Sequence, residues 1–171
     1  MRKVNLLLGN AERRTSNLLE AAVLDVCYDQ AAVECVRTSR LEQFQRLGCS
    51  GAFDLIIVAA ENLENEPGRR TPWVELSDVA EVLHRIKSGC GTPLLVLANS
   101  PENEMVLLET GADAVFSRPL VIDNVKAEVR RLLDLKEIIE EAVAPNRLGF
   151  WGGLVRGLQR PRNARPELVT D

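Results

Sequence analysis

The sequence predicts one α/β domain, a parallel sheet wound on both faces by helices, followed by a short C-terminal tail. Three observations carry this reading. The chain has 171 residues, of which 46 % are apolar, enough for one packed core but not for two. Short apolar runs alternate with helically spaced stretches along its length, the pattern of repeated strand and helix units. The central run, Asp54 to Ala59, is apolar on both faces, as a strand covered by helices on either side of a sheet would be.

Val4 to Leu8 reads as the first strand, and Gly9-Asn10 turns the chain into a helix over Ala11 to Val26, with Leu18, Leu19, Ala22, Val23 and Val26 on one side. Ala31 to Val36 is the second strand. Ser39 is a candidate cap for a short helix through Leu47, which Gly48 ends. After the third strand comes a polar loop, Glu61 to Arg70, and Thr71-Pro72 then reads as N-cap and first residue of a helix reaching Lys87. Pro93 to Leu97 is the fourth strand. Ser100-Pro101-Glu102 repeats the cap, proline and acid signature for a helix ending at Gly111, Ala114 to Ser117 is a short fifth strand, and a last helix starts near Asp123. Right-handed crossovers favour a flavodoxin-like strand order, with any ligand or reactive group beyond the C-terminal strand ends.

Composition narrows the function. A formal charge of -4, with no surplus of Lys and Arg in residues 1 to 144, argues against direct nucleic-acid binding. No stretch approaches the roughly 20 apolar residues of a membrane span, and the first residues are too quickly interrupted for a secretory signal, so a cytoplasmic location is expected. Cys27, Cys35, Cys49 and Cys90 contain no Cys-x-x-Cys pair and are expected to be buried, reduced and structural. No metal site or cofactor is expected. The single histidine, His84, has no nucleophile motif to serve and reads as a surface residue. Glycine-rich phosphate-binding motifs are absent from the sequence, which leaves dinucleotide and nucleotide-triphosphate binding without support.

Three segments carry a resemblance. Asp54-Leu-Ile-Ile-Val-Ala59, Pro93-Leu-Leu-Val-Leu-Ala98-Asn99 and Gly111-Ala-Asp-Ala-Val-Phe-Ser-Arg118-Pro119-Leu120 are similar in spacing to the third, fourth and fifth strand regions of the receiver domains of two-component response regulators, over roughly residues 2 to 136. In that family an acidic pair after the first strand holds Mg²⁺, and the matching positions here are Gly9 and Asn10. The phosphoacceptor Asp falls on Ala59, the Ser or Thr after the fourth strand on Ala98, and the Lys on Arg118. A methyl group offers no nucleophilic oxygen, and a hard cation finds no carboxylate at Gly9 or Asn10. The resemblance therefore implies a pseudo-receiver, with Gly9, Asn10, Ala59, Ala98 and Arg118 as degenerate phosphorylation-site positions and Arg118 a cation without a partner acid among them. An alignment shifted by one would put Asp54 or Glu61 in the reactive place; Glu61 also reads as a fixed charge near the strand ends.

The last helix keeps its pattern from Val121 to Val143, about 20 residues or roughly 30 Å. Leu132, Leu135, Ile139 and Ala142 recur on one stripe that a small sheet would leave uncovered, unless the stripe folds back on its own domain. Beyond Pro145 the composition changes: residues 147 to 165 hold Arg147, Arg156, Arg160, Arg162 and Arg165 with no acid, around Phe150, Trp151, Leu154, Val155 and Leu158 on one helical face. This basic amphipathic tail docks in an apolar groove, lies on an anionic membrane surface, or is disordered; its glycines favour docking over the membrane.

The resulting expectation is a domain over residues 1 to 144 with a tail over 145 to 171, acting without phosphorylation through protein contacts, as a homodimer or with a signalling partner. By resemblance, Val106, Leu107, Phe116, Val125 and Val129 lie on or under the contact face, joined by Leu132, Leu135, Ile139, Phe150, Trp151 and Leu154. A small-ligand sensor, or an enzyme using Asn10, Glu61, Asn99, Ser100 and Arg118, are the rival classes.

Overall fold

The computed structural model describes residues 1–135. Each strand candidate became a strand: β1 (Arg2–Gly9), β2 (Ala31–Thr38), β3 (Leu55–Ala59), β4 (Leu94–Ala98) and β5 (Ala114–Ser117). They form one parallel sheet in the order β2-β1-β3-β4-β5, the flavodoxin-like order. Between them run α1 (Arg13–Cys27), α2 (Leu41–Gly48), α3 (Leu76–Cys90), α4 (Glu104–Leu108) and, after β5, α5 (Ile122–Leu132).

The two-residue period of the strands divides the core into two layers. Leu6, Leu8, Leu55, Ile57, Leu95 and Leu97 face Leu19, Val23 and Val26 of α1 and Val125 and Val129 of α5. Leu7, Ile56, Val58, Leu94 and Val96 face Phe44 of α2, Val79, Leu83 and Ile86 of α3, and Leu107 of α4. β3 and β4 are buried at every residue, which accounts for their unbroken apolar sequence. Each full burial of a Leu or Ile side chain stabilises the fold by roughly 2 kcal/mol, so these two strands and their covering helices hold the sheet together.

Helix starts differ from the sequence reading. Thr71-Pro72 does not open α3, which begins at Leu76 behind Glu75. The segment is instead held extended: Asn65 Nδ2 donates to the carbonyls of Thr71 (3.1 Å) and Trp73 (2.9 Å), and Val74 N donates to Leu63 O at 3.2 Å. Those local bonds outcompete the helix, and they draw Val74 into the core. Ser39 does not cap α2 either, since its hydroxyl donates to Glu64 Oε2 at 3.2 Å and the N-cap position falls on Arg40. The Ser100-Pro101 signature does start a helical segment, whose first turn is a 3₁₀ turn over Pro101–Asn103 before α4.

The last helix stops early. α5 ends at Leu132, so the continuous helix expected to Val143 is not formed. Asp134 takes the left-handed conformation (φ 52°), Leu135 N donates to Arg130 O at 3.0 Å and Asp134 N to Arg131 O at 3.2 Å, the bond pair of a Schellman motif. Arg2 Nη1 donates to Leu133 O at 2.7 Å, satisfying another carbonyl at this end. Leu132 and Leu135 pack against the domain's own core, and Leu133 is fully buried. The apolar stripe thus folds back on itself at these positions. Ile139 and Ala142, the boundary expected at residue 144, and Phe150, Trp151 and Leu154 of the tail lie outside the described residues.

Because Asp134 holds a conformation that glycine adopts without penalty, Asp134→Gly should stabilise the protein by about 0.5–1 kcal/mol, whereas Asp134→Val should destabilise it. Urea unfolding of the three proteins measures both; a destabilised glycine variant would contradict the stop motif.

Candidate functional site

The strand ends bring the five expected positions to one edge. In register, Gly9 lies beside Val58, Ala59 beside Leu97, and Ala98 beside Ser117, with Arg118 N donating to Ala98 O at 3.2 Å. Gly9, Asn10, Ala59, Ala98 and Arg118 therefore stand together at the C-terminal strand ends, where open α/β sheets form their crevice. Asp54 stands at the far end of β3, where its backbone N donates to Asn5 O at 2.9 Å and its Oδ2 accepts from Asn5 N at 2.8 Å. It has no place in the crevice.

What fills the crevice decides its chemistry. A Cβ built on Gly9 would stand 2.7 Å from Cδ2 and 2.8 Å from Cε2 of Phe44 and 3.0 Å from Val58 Cγ2. The buried Phe44 ring occupies the space that any side chain at residue 9 would need. Asn10, itself buried, spends its amide on the turn that follows: Oδ1 accepts from Glu12 N at 2.9 Å and Nδ2 donates to Glu12 O at 3.2 Å. Ala59 and Ala98 are buried methyl groups. These residues do not fit a magnesium ion, which takes one or two carboxylates with water. Among the described residues no group of three or more His, Cys, Asp and Glu is placed to hold a metal.

The charged groups near the crevice have internal partners. Arg118 has no partner acid among the matched positions, and its Nη2 sits 2.8 Å from Oε2 of Glu12, which lies outside them. Glu12 also accepts from Thr15 Oγ1 at 2.8 Å. These contacts, the Thr15 hydroxyl first and the Arg118 guanidinium second, hold the Glu12 carboxyl below the ordinary carboxylate range. Glu61 accepts from Asn99 N and from Asn103 Nδ2, linking the turn after β3 to the turn after β4. His84 is exposed on α3.

Beside Arg118 lies an open cleft of about 290 Å³, lined by Thr15, Leu18, Leu97, Phe116, Pro119 and Leu120. Sequence reading placed Phe116 on a contact face and did not foresee this cleft. Of the other residues assigned to that face, Val106 is exposed, while Leu107, Val125 and Val129 are fully buried and belong to the core beneath it. The apolar side chains that reach solvent there are Met105 (66 % exposed), Val106, Leu108 and Val121.

Neither a family model nor a curated protein matches this sequence. Solved structures do match. A Chloroflexus aurantiacus protein assigned as a response regulator superposes with a TM-score of 0.59 at 17 % identity, covering 78 % of this chain and 99 % of that one. The receiver domain of the sensor histidine kinase PA1611 from Pseudomonas aeruginosa, which has a magnesium ion coordinated in its active-site cleft, gives 0.58 at 12 % identity over 77 % and 98 %. An orphan response regulator of H. pylori gives 0.51 at 22 % identity over 76 % and 96 %. The described domain has the receiver fold of response regulators.

Since the folded Glu12 pKa is depressed, its contribution to stability is present above the unfolded-state value and is lost as pH falls through the folded one. Carboxyl NMR titration should find Glu12 below the ordinary range. Thr15→Val and Arg118→Met should each raise its pKa, and unchanged titration in both variants would exclude the arrangement.

Proposed function

We propose that this protein is a signalling domain of two-component type that works without phosphorylation, through contact with other proteins. The observation that carries the reading is the closed crevice. Ala59 presents a buried methyl where a phosphoacceptor would stand, and the Phe44 ring fills the side-chain space at Gly9. Phosphoryl transfer is positioning and charge stabilisation around a nucleophile and a metal, and both seats are missing together. Output then rests on surface recognition rather than on a chemical step, and the domain is not an enzyme.

The face formed by α4, β5 and α5 suits this role. Met105, Val106, Leu108 and Val121 expose apolar surface over a rigid base of Leu107, Val125 and Val129. A second copy of the chain or a signalling protein covers it, in a bacterial cytoplasm if the chain shares the setting of the receivers it resembles.

The test has two arms on the whole chain. Incubation with acetyl phosphate and Mg²⁺ should leave the intact mass unchanged; a stable phosphate adduct would refute phosphorylation independence. Light scattering after size exclusion should give a dimer that Val106→Lys and Leu108→Lys dissociate. A monomer at all concentrations would remove the homodimer and leave the hetero-partner reading.

A second reading is favoured by the cleft beside Arg118, whose largely apolar walls suit a small neutral molecule with an apolar body. Such a sensor would be stabilised by its ligand, so a thermal-shift screen of small neutral aliphatic and aromatic compounds should raise Tm in a manner lost in Leu18→Glu. No shift with any of them would dismiss it.

A further inference from the structure

Helices of this fold run antiparallel to the strands, so the C-terminal ends of α2 and α3 meet at the pole opposite the crevice. The two helices approach closely there: a Cβ built on Gly48 would stand 2.5 Å from Ile86 Cδ1. Close approach brings the cysteines that end them together. Cys49 is the C-cap of α2 and Cys90 the last residue of α3. The Cys90 thiol donates to the backbone oxygen of Cys49 at 3.2 Å, and the turn continues around it through Gly51 (φ 71°), whose built Cβ would stand 3.9 Å from Cys90 Sγ. The Cys90 thiol thus touches the residue that carries the other thiol.

The sequence reading expected all four cysteines to be buried and structural. Cys27 is, but Cys49 is exposed and Cys90 only half-buried. Burial pushes the thiols of Cys27 and Cys35 up, which disfavours their thiolates. Cys49 is the most accessible of the four, and of the partly buried Cys35 and Cys90 it is Cys90 that lies in contact with it.

We propose that Cys49 and Cys90 are a redox-modification site that closes as an intramolecular disulfide, driven by exchange with a small-molecule disulfide such as oxidised glutathione. The thiolate of one cysteine attacks a glutathione sulfur, forming a mixed disulfide and releasing one glutathione thiolate. The second cysteine, deprotonated, attacks the protein sulfur of that mixed disulfide, forms the Cys49–Cys90 bond and expels the second glutathione thiolate. Two protein thiols are oxidised, one glutathione disulfide is reduced to two thiols, and the two protein protons pass to them. The bond ties the end of α2, the helix that carries Phe44, to the end of α3, and restricts the unfolded chain between residues 49 and 90.

The experiment takes the whole, fully reduced chain through mixtures of reduced and oxidised glutathione, followed by alkylation and peptide mapping. Cys49 and Cys90 should lose alkylation together, with a linked peptide pair, an intact mass lower by two hydrogens, and a Tm raised by several degrees. Cys49→Ser and Cys90→Ser should each trap a lasting glutathione adduct on the remaining partner. Separate adducts on both cysteines of the unmutated chain, a bond between chains, a bond to Cys27 or Cys35, or full alkylation under oxidising mixtures would each overturn the proposal.

Discussion

The contact between the Phe44 ring and the backbone of Gly9 is the constraint from which the rest follows. β1 delivers residue 9 to the strand ends, and α2 lays a large buried ring on it, so that position accepts hydrogen and nothing larger without moving the core. A carboxylate cannot be housed there. The neighbouring Asn10 carries an amide already used to shape the turn into α1, and the floor of the crevice is finished by the methyl groups of Ala59 and Ala98. The absence of a side chain at residue 9 is thus built into the packing.

The charges that remain brace the loops. Arg118 to Glu12 joins the turn after β5 to the start of α1, and Glu61 joins the turns that follow β3 and β4. The first is an exposed ion pair and the second a set of bonds to neutral amides, so their effect is to fix loop geometry more than to hold the fold. Arg118 is paired with Glu12 and Glu61 is hydrogen-bonded to Asn99 and Asn103, whereas Met105, Val106 and Leu108 on α4 retain surface that water covers poorly.

The strands were legible because both faces of a central parallel strand must be apolar, which leaves an unbroken run such as Leu55–Ala59 in the sequence. Helix ends were less so. Thr71-Pro72 has the composition of a helix start, and only the hydrogen bonds from Asn65 show that the chain stays extended there. The stop after α5 was hidden because an aspartate, not a glycine, takes the left-handed position, and periodicity alone ran through it. In the site, the altered residues could be placed by spacing, but their surroundings could not. Glu12 carried a faint signal, an acid at a helix start with Thr15 three residues on. Nothing in the sequence links Phe44 to Gly9, since that pairing is made by tertiary packing.

Amide relaxation during titration with Mn²⁺, a paramagnetic stand-in for Mg²⁺, probes the crevice directly in the intact chain. The account predicts no saturable broadening confined to Gly9, Asn10, Ala59 and Ala98. Selective, saturable broadening of those amides, reversed by excess Mg²⁺, would contradict it.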